Sequence, residues 1–119
     1  MTGFGTPAGP ALIWCPFADE ESAAEAAGHL LDERLIACAN ILAAMRSLYS
    51  WNGERGDGTE VGVLFKTYAA LLDRATGRLA ENHPYDTPAI LGWTADAASP
   101  ATAAWLGESV AGEGQTRGA

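Results

Sequence analysis

The chain has 119 residues, 48% of them apolar, enough for one domain with a modest core and too little for a second. Seven Lys and Arg stand against 15 Asp and Glu, a net charge of −8, which argues against a nucleic-acid partner or an anionic membrane surface, both held chiefly through Lys and Arg. No apolar run approaches the roughly 20 residues of a membrane span, no basic residue precedes Arg34 as a secretory signal requires, and two isolated cysteines make no disulfide framework, so a cytoplasmic protein with free thiols is expected.

Residues 1–10 and 112–119 read as mobile tails around a single domain over 11–111. The apolar run Ala11-Leu12-Ile13-Trp14-Cys15, stopped by Pro16, predicts a central strand buried on both faces. Asp19 is a helix N-cap with Glu20 and Glu21 in the first turn. Ala23, Ala27, Leu30 and Leu31 then recur at spacings of three and four, predicting an amphipathic helix to about Arg34. Gly28 inside it marks a close approach of helix to sheet. Over 36–51, Met45, Ser47, Tyr49 and Trp51 alternate with Arg46, Leu48 and Ser50, the period of a long strand, bent near Ala43-Ala44. Turn formers fill 52–58 before Val61, Val63 and Phe65 resume the alternation, which predicts a hairpin with a flexible tip. Leu71, Leu72, Ala75 and Leu79 predict a second helix that ends before Pro84. Residues 88–95 form a fourth strand, and Pro100 opens a last helix carrying Ala104, Trp105 and Val110.

This order predicts an α+β fold of the ferredoxin-like βαββαβ plan, an antiparallel sheet with helices on one face, plus a C-terminal helix. The middle hairpin is longer than two such helices cover. A projecting hairpin with Tyr49 and Trp51 is marginal alone, so an oligomer is expected in which it lies on a neighbour.

Cys15, Cys38 and His83 offer the thiolate and imidazole donors that suit copper or zinc. Against this, no Cys-x-x-Cys or paired-His spacing is present, and both cysteines also suit packing as small hydrophobes. His29, between Glu25 and Glu33, sits on a solvated helix face. His83-Pro84-Tyr85-Asp86-Thr87-Pro88 is the densest polar cluster, in a loop between helix and strand. Two readings stand: His83 closes its helix and Asp86 makes a turn, or His83, Tyr85 and Asp86 face a cleft. Lys66, the only lysine, is suited to neutralise an anion or pair with Glu60, and Trp51 to form a stacking wall or an interface anchor. With no Gly-rich phosphate loop, G-x-S-x-G elbow or paired-carboxylate motif, no enzyme is expected.

Four segments in order carry a resemblance: Glu33-Arg34-Leu35-Ile36-Ala37-Cys38-Ala39-Asn40-Ile41, Ser47-Leu48-Tyr49-Ser50-Trp51-Asn52-Gly53, Lys66-Thr67 and His83-Pro84-Tyr85-Asp86-Thr87-Pro88. Across residues 13–106 the chain resembles the CutA family of divalent-cation tolerance proteins. The resemblance implies a ferredoxin-like homotrimer with a role in tolerance of metal ions such as copper. It implies Cys15, Cys38 and His83 as metal ligands, and an inter-subunit ligand cleft around Trp51, Lys66, His83 and Tyr85, with Asp86 beside it. Two departures are Ala43-Ala44 where the family usually has Pro-Gly, and Ala89 where it has an acidic residue, the second removing a candidate metal-binding carboxylate. The functional expectation is a non-enzymatic trimer that binds copper or another divalent ion. The alternative is a signalling module similar to PII-type trimers, taking a small anionic ligand between subunits.

Overall fold

The computed structural model describes residues 9–111. Strand β1 (Pro10–Phe17) leads to α1 (Glu20–Asp32), then β2 (Cys38–Trp51) and β3 (Glu54–Tyr68). A 3-10 turn at Ala69–Leu71 precedes α2 (Leu72–Asn82), β4 (Leu91–Thr94) and α3 (Pro100–Ser109). The four strands form one antiparallel sheet in the order β2-β3-β1-β4, the ferredoxin-like plan expected. Of the two tails expected at the ends, only Gly9 and Pro10 fall among the described residues, and both are tied down. Pro10 pairs with Tyr68 and the Ala69 N–H donates to the Gly9 carbonyl at 2.8 Å.

Alternation along β1 sends Ala11, Ile13, Cys15 and Phe17 into the core beneath α1 and α2, where each is fully buried. Leu12, Trp14 and Pro16 point the other way and are half-buried, so β1 is covered on one face within the chain and not on both. Strand β3 adds Val61, Val63, Phe65 and Thr67 to the covered layer, and the Thr67 hydroxyl donates to the Leu35 carbonyl at 2.7 Å. The opposite face carries Leu12, Trp14, Leu64, Leu91 and Trp93, with Leu91 65% and Trp93 46% exposed.

Helix α1 starts where its cap predicts: the Asp19 carboxylate accepts from the Ser22 N–H at 2.8 Å. Its inward residues are Ala23, Ala26, Ala27 and Leu30, and Leu31 is 45% exposed. Gly28 marks no close approach, since a Cβ there meets nothing within 4 Å. The close approach lies at Gly62, where a Cβ would stand 2.3 Å from the Trp14 ring. The helix ends in a Schellman motif with Arg34 at φ 59°: the Arg34 N–H donates to the Leu31 carbonyl and the Leu35 N–H to that of Leu30. Helix α2 stops at Asn82 because Pro84 holds His83 extended at ψ 138°. Helix α3 begins on a Ser99 cap with Pro100 in its first turn, and it buries Leu106 while Trp105 stays exposed. It docks through the Tyr68 hydroxyl, which donates to the Ala103 carbonyl at 3.3 Å.

The hairpin differs from expectation at its tip. Asn52 (φ 52°) and Gly53 (φ 80°) make a two-residue turn of type I′, and residues 54–58, read from the sequence as a flexible tip, continue the ladder opposite Ser47 to Trp51. The mirror-image turn matches the strand twist, so no longer loop is needed. The expected bend is a β-bulge: Ile41 pairs with Val63 and Ala44 with Val61, leaving Leu42 and Ala43 opposite Gly62. Strand β4 is shorter than expected, with residues 88–90 outside the ladder.

Candidate functional site

His83 caps the end of α2 and turns inward, 7% exposed, its ring stacked on Phe17 at 4.2 Å. One ring nitrogen, Nε2, lies 2.8 Å from the Pro16 carbonyl and so carries the proton, while Nδ1 accepts from the Tyr85 N–H at 3.1 Å. Burial holds its pKa below the usual histidine value, which keeps the ring neutral. His83 therefore does not satisfy the last carbonyls of its own helix, as one reading had it. It fastens the following loop to the end of β1.

That loop brings Tyr85 against β3, where its hydroxyl donates to Glu60 Oε2 at 2.8 Å. Burial first, and the bonded Glu60 second, raise the phenol pKa and keep the hydroxyl protonated. Loop and hairpin enclose an open cleft of about 880 Å³, bounded by Trp14, Tyr49, Trp51, Glu60, Tyr85 and Asp86.

Of the cleft residues expected from the sequence, Trp51, Tyr85 and Asp86 line it. Lys66 does not. It pairs with Leu12 and Cys38, six positions along β3 from Glu60 or about 20 Å at strand rise. Glu60 and Trp14 take places in the cleft that the sequence reading did not give them. The alternation of β3 held the signal, because a charged residue out of phase with Val61, Val63 and Phe65 belongs on the face away from the core.

The three residues expected to share a metal do not meet within the chain. Cys15 faces the helices opposite Val63, with no exposed surface, and burial pushes its thiol up to about 12. Cys38 stands on the other face, half-buried, its thiol 3.6 Å from Asn40 Oδ1. His83 has both nitrogens engaged by backbone, so it has no free lone pair to give. A thiol kept protonated, a spent imidazole and a thiol across the sheet do not fit one metal ion, and among the described residues no three His, Cys, Asp or Glu converge on one.

Residues 11–109 match the family described as CutA1 divalent ion tolerance protein. The chain belongs to the CutA1 family. A divalent-cation tolerance protein CutA of Pyrococcus horikoshii is 40% identical over 95 residues, 80% of this chain and 92% of the relative. The crystal structure of CutA1 from Ehrlichia chaffeensis superposes with a TM-score of 0.83 at 33% identity, covering 87% of this chain and 97% of that one. A structure from Archaeoglobus fulgidus, described as a periplasmic divalent cation tolerance protein CutA, gives 0.80 at 26% identity over 85% and 98% of the two chains. CutA1 membership accounts for the sheet order and the hairpin and carries divalent-cation tolerance in its name; that name describes no reaction. It does not fix a cytoplasmic location, since the Archaeoglobus relative is called periplasmic. Among the described residues, no helix is long and apolar enough to cross a membrane.

Proposed function

We propose that this CutA1 chain is a non-enzymatic, cytoplasmic homotrimer that binds copper or another divalent metal ion and takes part in the response to metal ions. The observation that carries the reading is the place of Cys38. It stands on the sheet face not covered by α1 and α2, the face that also bears Leu12, Leu64, Leu91 and Trp93. An apolar patch of this kind favours association, and association through it brings the soft donors of different copies to a shared boundary. In this reading Cys15 and His83 serve packing, and Cys38 is the thiol that meets metal.

Titration calorimetry of the reduced protein with Cu(I) and with Cu(II) tests it. Cys38→Ala is expected to lose the binding heat and Cys15→Ala to keep it. Equal heats from wild type and Cys38→Ala would remove the proposed ligand. An anionic ligand in the cleft is the weaker reading, because no Lys or Arg is among the cleft's described lining residues and Lys66 stands far from it.

A further inference from the structure

A second cavity, of about 460 Å³, opens where the end of α1 meets the start of α2 and the end of α3. Leu35, Leu71 and Val110 give it an apolar lining, and Arg34 and Arg74 stand in its wall beside Asp32 and Glu33. None of these residues belongs to the uncovered sheet face or to the β2–β3 ribbon, so the cavity stands apart from the surfaces assigned above to a neighbouring copy. Both arginines occupy positions that the backbone does not favour. Arg34 is the C′ residue of the Schellman motif, in the left-handed region at φ 59° where glycine sits without strain. Arg74 lies in the first turn of α2, at the positive end of that helix's dipole, and Leu71 before it offers no side-chain cap. Among the described residues neither guanidinium has an ion-pair partner. Glu33 cannot serve them, because Arg78 holds both of its oxygens, at 2.8 and 2.6 Å. Asp32 is left as the one uncompensated carboxylate in the wall.

We propose that this cavity binds a small monocarboxylate with an apolar body, its carboxylate held by Arg34 and Arg74 and its body resting on Leu35, Leu71 and Val110. A guanidinium meets a carboxylate through two parallel hydrogen bonds. An anion there supplies the charge that both arginines lack and suits the N-terminal end of α2. Two unpaired guanidiniums against the single unpaired carboxylate of Asp32 leave one net positive charge, which matches a singly charged ligand; a polyphosphate would bring charge in excess against Asp32. A bare inorganic anion would leave the apolar lining wet, and the volume is that of a small organic ligand. A purely structural role suits Arg34, which faces the negative end of the α1 dipole, but not Arg74, which stands at a positive end. The inference is independent of the metal reading, which rests on Cys38.

The test titrates the full-length protein with sodium hydrocinnamate at constant ionic strength, followed by calorimetry, with hydrocinnamamide as the neutral isostere, phenylpropylamine as the cation and acetate as the headgroup alone. Saturable binding of hydrocinnamate is expected, with acetate weaker by about tenfold or more and no binding of the amide or the amine. Arg74→Gln, at an exposed position, is expected to weaken hydrocinnamate by about tenfold or more. Arg34→Gly keeps the left-handed turn without strain, so it is expected to hold the urea midpoint of wild type and yet to lose binding to the same extent. Both variants keep the copper heat, and Cys38→Ala binds hydrocinnamate as wild type does. The proposal is overturned if the amide, the amine or acetate binds as tightly as hydrocinnamate, if either arginine variant keeps wild-type affinity, or if hydrocinnamate gives no saturable binding at millimolar concentration.

Discussion

Both ring nitrogens of His83 are held by backbone groups, one of them on Pro16, 67 residues earlier in the chain. His83→Gln is therefore expected to cost about 1–3 kcal/mol in denaturant unfolding, with no loss of Cu(I) binding. Burial holds the folded pKa of His83 below its unfolded value, so on acidification the unfolded chain takes the proton first. Stability from this residue is complete above the unfolded value of about 6.5 and is lost as pH falls through the folded one. Unfolding curves at neutral and mildly acidic pH are expected to show a smaller loss on acidification in His83→Gln than in wild type. The thiols give a second residue-level expectation: a thiol reagent at mildly alkaline pH labels Cys38 in the folded protein and both cysteines in denaturant, because Cys15 is fully buried with its pKa near 12. The sequence cluster 83–88 pointed to the right loop and not to the roles inside it. No local spacing tells that Pro16 lies over His83, or that alternation sends Cys15 and Cys38 to opposite faces.

At the scale of elements, apolar patterning together with turn and cap signals placed all four strands and three helices, even though β2 and β4 bury no residue within the chain. It failed where two signals compete. Asn52-Gly53 is a strong hairpin turn, but Gly56 and Gly58 beside it read as more turn, when one of them sits beneath the Tyr49 ring and the other floors the cleft. Trp14 was legible as a strand residue and not as a wall, since its partner surface is the missing side chain of Gly62 on the neighbouring strand. A matched pair of substitutions separates the two kinds of glycine. Gly28→Ala, in open space within α1, is expected to stabilise by up to about 1 kcal/mol. Gly62→Ala drives a methyl group into the Trp14 ring and is expected to destabilise by about 1–3 kcal/mol, both read from urea midpoints.

Across the whole molecule, no residue in the distal half of the β2–β3 ribbon is buried, and its Arg46–Asp57 ion pair is too solvated to hold it rigid. Under the proposed trimer that ribbon lies on a neighbour, and light scattering is expected to give the mass of three chains for wild type and a lower mass for Trp93→Glu, which places a charge on the uncovered face. A wild-type mass of one chain would leave Leu91 and Trp93 without the role given them. Strand order has a further consequence during synthesis. β1 lies between β3 and β4, so the strand translated earliest of the four has both of its neighbours still to come. At about 5–20 residues per second the apolar run from Ala11 to Cys15 waits several seconds on the ribosome before Leu91 is made. The β2–β3 ribbon, by contrast, is joined by two residues and can zip as it emerges, giving the waiting strand its first edge. The expected order of pairing is therefore ribbon before β1 and β1 before β4, the last strand closing on the first.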